Sequence, residues 1–437
     1  MSQNLKKQQN LEREGNRWRG PLFVLTLAVF IDMLGFGIVF PLLPFWTRSL
    51  GASEFVFGLL LATYSFFQLF FAPLWGRLSD NFGRRPIILI GLTGTFTSFV
   101  FLTLTASIFN SIIMLFFCRI IGGIFTSATL PTSRAYISDS MAKEEQVKSF
   151  GILGAGMALG MVIGPALGGS FVGLGKLLIS STNGYWFPLL FASVIALINL
   201  VAGIVRLPET LKKEIKPIYT LNGNLMVPRS NIPSIIKNSP TILILLAIFA
   251  SVNFAFSSLD SILGLYVQDR VGGDEMMVGL IFMTAGLVMI IVQGGFVGIL
   301  SRRISEPYLI TTGLFLETIG FIGVTSATSF IEGIFWTFPI AFGNSLIIPI
   351  LTSLVSKATP EDSQGAVLGI NASLNALMRI IGPLIATFFY NLDIFFPWYV
   401  GACILAVALV LSLGLIKYTK RYGQAAAASG SNTDNKK

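Results

Sequence analysis

Residues 76–86 read Gly-Arg-Leu-Ser-Asp-Asn-Phe-Gly-Arg-Arg-Pro and form a short polar turn between two long apolar runs. Gly76 would let two helices approach closely, and Gly83 can take the positive φ that a tight reversal requires. Pro86 suits the first turn of the next helix, because that position needs no backbone N–H donor. The charged residues of the turn are Arg77, Asp80, Arg84 and Arg85. Positive charge alone would fit many loops, but the spacing G-x-L-x-D-x-x-G-R-R is far more specific.

The composition is that of a membrane protein. Hydrophobic residues make up 53% and charged residues 12% of the chain, against about 25% charged residues in soluble domains. The net charge of +9 does not indicate nucleic-acid binding, because Lys and Arg stand at the ends of apolar segments and form no stripe with exposed aromatics. Cys118 and Cys403 lie in hydrophobic runs and His is absent, which excludes a disulfide framework and a Cys/His metal site.

Apolar stretches of about 20 residues predict membrane-spanning helices, and the chain contains twelve of them. We number them spans 1 to 12, with predicted bounds 21–44, 56–76, 86–106, 110–133, 149–172, 185–206, 241–263, 276–300, 307–326, 330–352, 365–390 and 396–417. The first span follows basic residues directly and is too long for the core of a cleavable signal, so we expect it to be retained.

The basic residues predict the orientation. Of the 30 Lys and Arg, three (Arg48, Lys176, Arg270) fall in odd-numbered connections and two (Arg119, Arg379) fall in the interior of spans, which leaves 25 on the side of the tails, including the span-end residues Arg206 and Lys417. This positive-inside bias predicts cytoplasmic N- and C-termini. The membrane is expected to be a plasma membrane or bacterial inner membrane, with an organelle membrane as an alternative.

The predicted organisation has five parts. Residues 1–19 form a polar cytoplasmic tail, 20–206 a six-helix bundle, 207–240 a Pro-containing cytoplasmic linker, 241–417 a second six-helix bundle, and 418–437 a polar tail expected to be disordered.

The two bundles repeat in sequence. A shift of 218 residues aligns Pro131 with Pro349 and Gly164-Pro165 with Gly382-Pro383, and a shift of 221 aligns Asp32 with Asn253. Parallel six-helix repeats are typical of transporters that rock two bundles about a midplane site. The fold class is therefore predicted as all-α, with twelve membrane helices in two pseudo-symmetric bundles.

The stretch at 76–86 resembles the signature loop between the second and third helices of the major facilitator superfamily. The resemblance implies that Asp80 is held at the end of span 11 and by arginine, which latches the cytoplasmic side shut. The candidate partners of Asp80 are Arg77, Arg84 and Arg85. The second-half counterpart, Gly298-Ile299-Leu300-Ser301-Arg302-Arg303, lacks the acid and the Gly-Arg-Arg end, so the latch is expected on one side only.

Span 5 carries glycines at helix-packing spacing, from Gly151 and Gly154 onward, which predicts a smooth face against another helix. Its pattern G-x-x-x-G-P-x-x-G-G comprises Gly160, Gly164, Pro165, Gly168 and Gly169. This pattern resembles the antiporter motif of exporters in the superfamily. Leu207-Pro208-Glu209-Thr210 resembles its drug-antiporter branch, and the twelve spans with an acid in the first resemble the tetracycline-antiporter-like group.

Asp32 stands halfway along span 1, where a carboxylate costs about 2.5–3.5 kcal/mol and indicates function. We expect it to bind and release a proton, with a helix-packing role as the alternative. Arg119 in span 4 resembles the family's fourth-helix arginine, which is implicated in proton movement. A buried guanidinium needs a partner, and Asp32 is the candidate.

Glu317 in span 9 predicts a second protonatable or cation-binding site, with a packing role as the alternative. Asp260 and Glu332 stand near span ends, where they can reach water. Polar and aromatic residues of the predicted substrate cavity are Phe36, Tyr64, Gln68, Asn253, Gln293, Asn344, Asn371, Asn375 and Arg379.

The sequence therefore predicts a proton-coupled exporter of a lipophilic small molecule, driven by the proton gradient without a cofactor or metal. The partners are a small-molecule substrate, protons and the lipid bilayer, with no nucleic acid, and we expect a monomer that is not an enzyme. Two alternatives remain open: an uptake carrier for an organic anion or metabolite, and a membrane receptor or scaffold that transports nothing.

Overall fold

A computed structural model describes residues 2–141, 143–179, 183–210, 239–359 and 364–431. Most of the predicted linker, residues 211–238, lies outside this range, as do residues 432–437 of the predicted C-terminal tail.

The described residues form helices joined by short turns, with no β-strand among them. Their α-helices, in chain order, are Ser2–Ser49, Glu54–Phe82, Arg84–Leu104, Ile112–Thr126, Thr129–Ser140, Lys143–Leu178, Trp186–Arg206, Pro240–Tyr266, Glu275–Ile291, Val297–Arg303, Glu306–Val324, Phe330–Ala358, Gln364–Tyr390 and Phe396–Ser431. Three π-helical segments, Thr105–Phe109, Val267–Val271 and Val292–Phe296, extend or interrupt them.

Twelve helical segments are long and apolar enough to cross a membrane, which confirms the predicted number. Spans 1 to 12 are Gly20–Ser49, Glu54–Phe82, Arg84–Phe109, Ile112–Ser140, Lys148–Leu178, Trp186–Arg206, Pro240–Val271, Glu275–Arg303, Glu306–Val324, Phe330–Ala358, Val367–Tyr390 and Phe396–Leu415. Large apolar side chains such as Phe70, Ile113 and Phe335 are more than half exposed, as expected for a surface that faces lipid.

The first and last helices extend beyond the predicted spans. The helix that contains span 1 begins at Ser2, within the predicted polar tail, and the last helix continues to Ser431. The expected disorder of residues 418–437 stays a prediction.

The chain divides into two compact units. The first contains the described residues up to 210 together with Leu263–Met283, and the second contains residues 239–262 and those from Thr284 onward. The predicted bundles, 20–206 and 241–417, thus differ from the units by one segment. This segment belongs to the first unit because close backbone contacts join Gly169 to Glu275 and Gly279 to Pro165.

Within the first unit, span 5 packs along span 1, span 3 along span 6, and span 2 along span 4. Within the second, span 9 packs against spans 10 and 12. The repeat appears in the matching seams: Gly164 contacts Leu34 and Gly37 of span 1, and Gly382 contacts Phe254 and Ser257 of span 7. The predicted repeat pair Gly164 and Gly382 therefore packs in equivalent places.

Candidate functional site

A narrow cavity in the first unit holds Asp32 and Arg119, two of the three charged residues predicted for proton coupling. Spans 1, 2, 3 and 4 line it with Asp32, Gly35, Phe36, Val39, Tyr64, Thr95, Ser98, Phe99, Leu102, Cys118, Arg119, Gly122 and Thr126. Its free volume is about 20 Å³, which is room for a water molecule rather than for a drug-sized ligand. The geometry therefore suits proton binding in this unit.

Asp32 is the acid of this cavity, and only 8% of it is exposed. The Thr95 hydroxyl on span 3 donates a hydrogen bond of 3.0 Å to Asp32 Oδ1. Threonine can serve a carboxylate as donor and a protonated carboxyl as acceptor. The site can consequently keep Asp32 hydrogen-bonded in both of its protonation states.

Arg119 lies in the same cavity and is 5% exposed. Its guanidinium carbon lies 4.6 Å from the centre of the Tyr64 ring, within the range of a cation–π interaction. The Tyr64 hydroxyl and Thr126 Oγ1 lie 2.8 Å apart in a hydrogen bond. The structure thus brings Asp32, Arg119 and Tyr64 together, and a direct Asp32–Arg119 ion pair stays a prediction.

The signature turn contains a single non-helical residue, since one helix ends at Phe82 and the next begins at Arg84. Gly83 has φ of 105°, the positive value predicted for it. Gly76 differs from prediction: a Cβ atom there would meet nothing within 4 Å among the described residues. This glycine therefore supports no close helix contact in the structure.

Arg84 is the buried centre of the signature turn. Its Nη1 donates to Ser79 Oγ at 2.7 Å and to Asp80 Oδ1 at 2.5 Å, and its Nε donates to Asp139 Oδ2 at 2.8 Å. Two carboxylates thus share one guanidinium through charge-assisted hydrogen bonds, which are stronger than bonds between neutral groups. Asp139 was missed by sequence reasoning, because nothing in its local pattern sets it apart from a surface acid.

Glu209 caps the helix that follows the turn. Its Oε1 accepts from the Arg84 backbone N–H at 3.0 Å and its Oε2 from the Arg85 N–H at 3.2 Å. A Cβ atom on Gly83 would lie 2.5 Å from Glu209 Oε2. A carboxylate at a helix N-terminus satisfies free N–H groups and the helix dipole. Glu209 was noticed only as part of Leu207-Pro208-Glu209-Thr210, and the structure adds this contact.

The other arginines of the turn lie apart from Asp80. Arg85 Nη2 donates to the Ile204 carbonyl at 2.9 Å. Arg77 is exposed, and no ion pair of Arg77 occurs among the residues that the structure describes. Of the three predicted partners of Asp80, the structure therefore selects Arg84.

Most of the predicted antiporter motif forms the seam between spans 5 and 1, while its Gly169 packs against Glu275 of span 8. Gly160 touches the Phe30 carbonyl, and added Cβ atoms on Gly164 and Gly168 would lie 2.6 Å from Leu34 O and 2.5 Å from Ile38 O. Pro165 packs on Gly37.

The glycine-packed seam is shorter than predicted. Gly151 and Gly154 would meet nothing within 4 Å if they carried a Cβ. The close-packed face therefore begins further along span 5 than the spacing of glycines indicates.

In the second unit, Glu317 is 1% exposed and lies where span 9 crosses Gly343 of span 10. The Asn344 amide hydrogen-bonds its carboxyl group, while Glu317 Oε2 has no hydrogen-bond partner among the described residues. Glu332, the acid at the start of span 10, has a structural role: it forms a capping box with Ser329 at the N-terminus of that helix.

The remaining predicted cavity residues fall into two groups. Asn375 Nδ2 donates to Asn253 Oδ1 at 2.9 Å, and Asn371 and Arg379 stand on the same helix one turn away on either side. Gln293 is exposed in a π-helical segment, and Gln68 is half-buried outside the lining of the first-unit cavity.

Comparison with known proteins identifies the family. The profile of the Major Facilitator Superfamily matches residues 25–383 and 294–433. The chain belongs to the Major Facilitator Superfamily. This membership confirms the resemblance drawn from the signature loop, and the family and fold are those of transporters.

Several relatives of this superfamily member are drug-resistance proteins. A class B tetracycline resistance protein of Escherichia coli is 31% identical over 406 residues, covering 89% of this chain and 94% of the relative. Multidrug resistance protein 2 of Bacillus subtilis is 27% identical, covering 90% and 94%. A quinolone resistance protein of Staphylococcus aureus is 25% identical, covering 89% and 95%.

Solved structures of the superfamily share the fold. A bacterial homologue of the human lysosomal transporter Spinster superposes with a TM-score of 0.71 at 14% identity, covering 90% of this chain and 95% of that one. A D-xylose–proton symporter superposes with a TM-score of 0.70 at 16% identity, covering 90% and 96%. The predicted fold class is confirmed.

The second half of this superfamily member has an ion pair near the place that matches the signature turn, although its acid matches Arg85 rather than Arg84, the residue that binds Asp139. A shift of 218 places Asp139 on Lys357, and a shift of 221 places Arg85 on Glu306. Lys357 Nζ lies 2.5 Å from Glu306 Oε1. Glu306 stands at a helix N-terminus, where a negative charge is favoured, so no counterpart of Glu209 is needed there.

Proposed function

We propose that this superfamily member is a proton-coupled exporter of lipophilic small molecules that works by alternating access. The observation that carries the proposal is the burial of Asp32 and Arg119 in one cavity of the unit that contains the antiporter-motif seam. Relatives named for resistance to tetracycline, to multiple drugs and to quinolones support export over the uptake and scaffold alternatives.

In the proposed cycle, a proton that enters from outside neutralises Asp32. The charged form is expensive at this depth, and the neutral form removes that penalty. Arg119 and Thr95 hold the charged form after proton release to the cytoplasm. Protonation thereby changes the relative stability of the two access states, and the substrate moves in the opposite direction to the proton.

The orientation and setting belong to the same proposal. The basic residues favour cytoplasmic termini in a plasma membrane or bacterial inner membrane. The proton gradient supplies the energy, no cofactor takes part, and the protein acts as a monomer.

The test uses the full chain in proteoliposomes of defined orientation, with tetracycline and a fluoroquinolone as probes. Imposing an inward proton gradient across the membrane should drive each drug outward against its own gradient, with a matching change in internal pH. Drug uptake together with protons would support a symporter instead. Absence of drug-dependent proton movement with every probe would favour the scaffold.

A further inference from the structure

Span 11 carries a polar stripe in the second unit. Asn371, Asn375 and Arg379 follow at intervals of four residues, which places them on one face of the helix. From Asn371 to Arg379 the stripe is about 12 Å long, the length of a drug-sized molecule. No role in proton coupling or in the signature turn uses these residues.

Span 7 faces this stripe and fixes its register. Asn253 accepts the hydrogen bond of Asn375, and Ser258 Oγ donates to the Gly382 carbonyl at 3.4 Å. Asp260 stands on span 7, two residues after Ser258. Arg379 is near enough to interact with the Asp260 carboxyl group electrostatically. At its Arg379 end, the stripe therefore faces an acid, Asp260, on the neighbouring helix.

Asn371 is the residue that points to a ligand. It is 5% exposed, yet neither its Oδ1 nor its Nδ2 has a hydrogen-bond partner among the described residues. A buried amide without partners is costly and calls for an explanation. Asn253, Asn375, Asp260 and Arg379 are only half-buried, so the stripe keeps an accessible edge beside Asn371.

We propose that this stripe is an acid-recognising subsite for the exported molecule, in which Arg379 binds a carboxylate or enolate oxygen and Asn371 hydrogen-bonds the rest of the ligand. Asp260 is the internal counter-ion: it holds Arg379 in the empty protein, and the ligand anion displaces it. The inference rests on the proposed export function and adds the chemical class of substrate.

The chemistry favours an anion at Arg379 over a cation at Asp260. Arg379 shares its helix face with Asn371, so a ligand that satisfies this amide lies along span 11 beside the guanidinium. A guanidinium also binds a carboxylate through two parallel hydrogen bonds. Asp260 stands on the facing helix, where it can neutralise Arg379 and withdraw from it.

The binding test uses the full chain in nanodiscs, with a fluoroquinolone carboxylic acid and its methyl ester as fluorescent probes, at a pH where the acid is ionised. The wild type should bind the acid about tenfold more tightly than the ester, the effect of one charge-assisted contact. Arg379→Gln should abolish this preference and Arg379→Lys should keep part of it. Arg302→Gln, at an exposed arginine of the same unit, should leave the preference unchanged.

Asp260→Asn is the decisive variant, because it removes the competitor for Arg379. We expect the affinity for the acid to rise several-fold while the affinity for the ester stays the same. Weaker binding of acid and ester alike would overturn the inference, since Asp260 would then itself be a ligand contact. An unchanged acid preference in Arg379→Gln would overturn it as well.

Asn371→Leu separates a ligand contact from a structural residue. Its ligand-free melting temperature should stay equal or rise, because an unsatisfied polar group is removed, while the affinity for both probes falls. A lower melting temperature with unchanged affinity would contradict the subsite. Drug–proton exchange in proteoliposomes is measured on the same variants: exchange without any acid preference rejects the subsite alone, and acid binding without exchange rejects the export function alone.

Discussion

At the scale of single residues, the first unit places an acid, a base and an aromatic ring around one small cavity. Asp32 accepts a hydrogen bond from Thr95, and Arg119 stacks over Tyr64. Charged groups buried at membrane depth persist where function requires them. The arrangement supports proton binding at Asp32, with the charge of Arg119 as the element that keeps the deprotonated form accessible.

Asp32→Asn is expected to abolish proton-coupled export and leave the fold intact. Asparagine can still accept the hydrogen bond of Thr95, and removing the charge lowers the cost of burial. Uphill drug transport in proteoliposomes and thermal unfolding in detergent measure the two effects. Undiminished uphill transport by this variant would end the coupling role of Asp32.

Arg119→Ala is expected to lower both transport and stability, because a buried carboxylate loses its nearby positive charge. Breaking such a pair costs about 3–5 kcal/mol. The double variant with Asp32→Asn should recover the stability but not the transport. Simple additivity of the two changes in melting temperature would show that the two side chains do not interact.

At the scale of elements, glycines decide how closely span 5 approaches span 1. Gly160, Gly164 and Gly168 leave no room for a side chain beside the carbonyls of span 1, whereas Gly151 on the same helix has open space around it. Gly151 can therefore serve as a control for substitutions of the closely packed glycines on the same helix.

Gly164→Ala should destabilise the first unit by about 1–3 kcal/mol, the usual effect of overpacking, and should reduce transport. Gly151→Ala should be neutral or stabilise the protein by about 0.5–1 kcal/mol, because alanine favours the helix. Melting temperatures of the two purified variants test this. Equal effects of both substitutions would show that the seam is not closely packed in the membrane.

At the scale of the whole molecule, the ion pairs of the signature turn position Asp80 for the latch that we expect to control alternating access. Arg84 binds Asp80 and Asp139, and Glu209 caps the helix that starts at Arg84. Asp80 is more than half exposed, so one of its oxygens remains available for the cytoplasmic latch that the family resemblance implies.

Asp80→Asn is expected to shift the resting population toward the state open to the cytoplasm and to slow turnover. A carboxylate at a helix N-terminus contributes about 0.3–1 kcal/mol, and up to about 2 when partly buried. Losing 1–2 kcal/mol shifts a two-state equilibrium about 5- to 30-fold. Spin-label distances between the cytoplasmic ends of spans 4 and 10 report the shift.

The control for the latch is Asn81→Ala, at an exposed neighbour of Asp80, which should leave the distance distribution as in the wild type. Loss of transport in Asp80→Asn without any change in the distances would show that the turn acts in some way other than as a latch.

The amino-acid sequence alone determined the twelve spans, the repeat and the family, because hydrophobic length, positive charge and glycine spacing are local properties of a membrane chain. It also indicated Asp32 and Arg119, since an isolated charge in an apolar run stands out. Gly83 was assigned its positive φ for a similarly local reason.

Only the tertiary structure decided which residues meet. The partners Asp139 and Glu209 lie 55 and 125 residues from Arg84, and a surface acid carries no sequence signal of such a contact. The packing of each glycine depends on the helix opposite, which is why Gly76 and Gly151 have open space while Gly164 does not. Asn253 and Asn375 likewise meet only because spans 7 and 11 pack side by side.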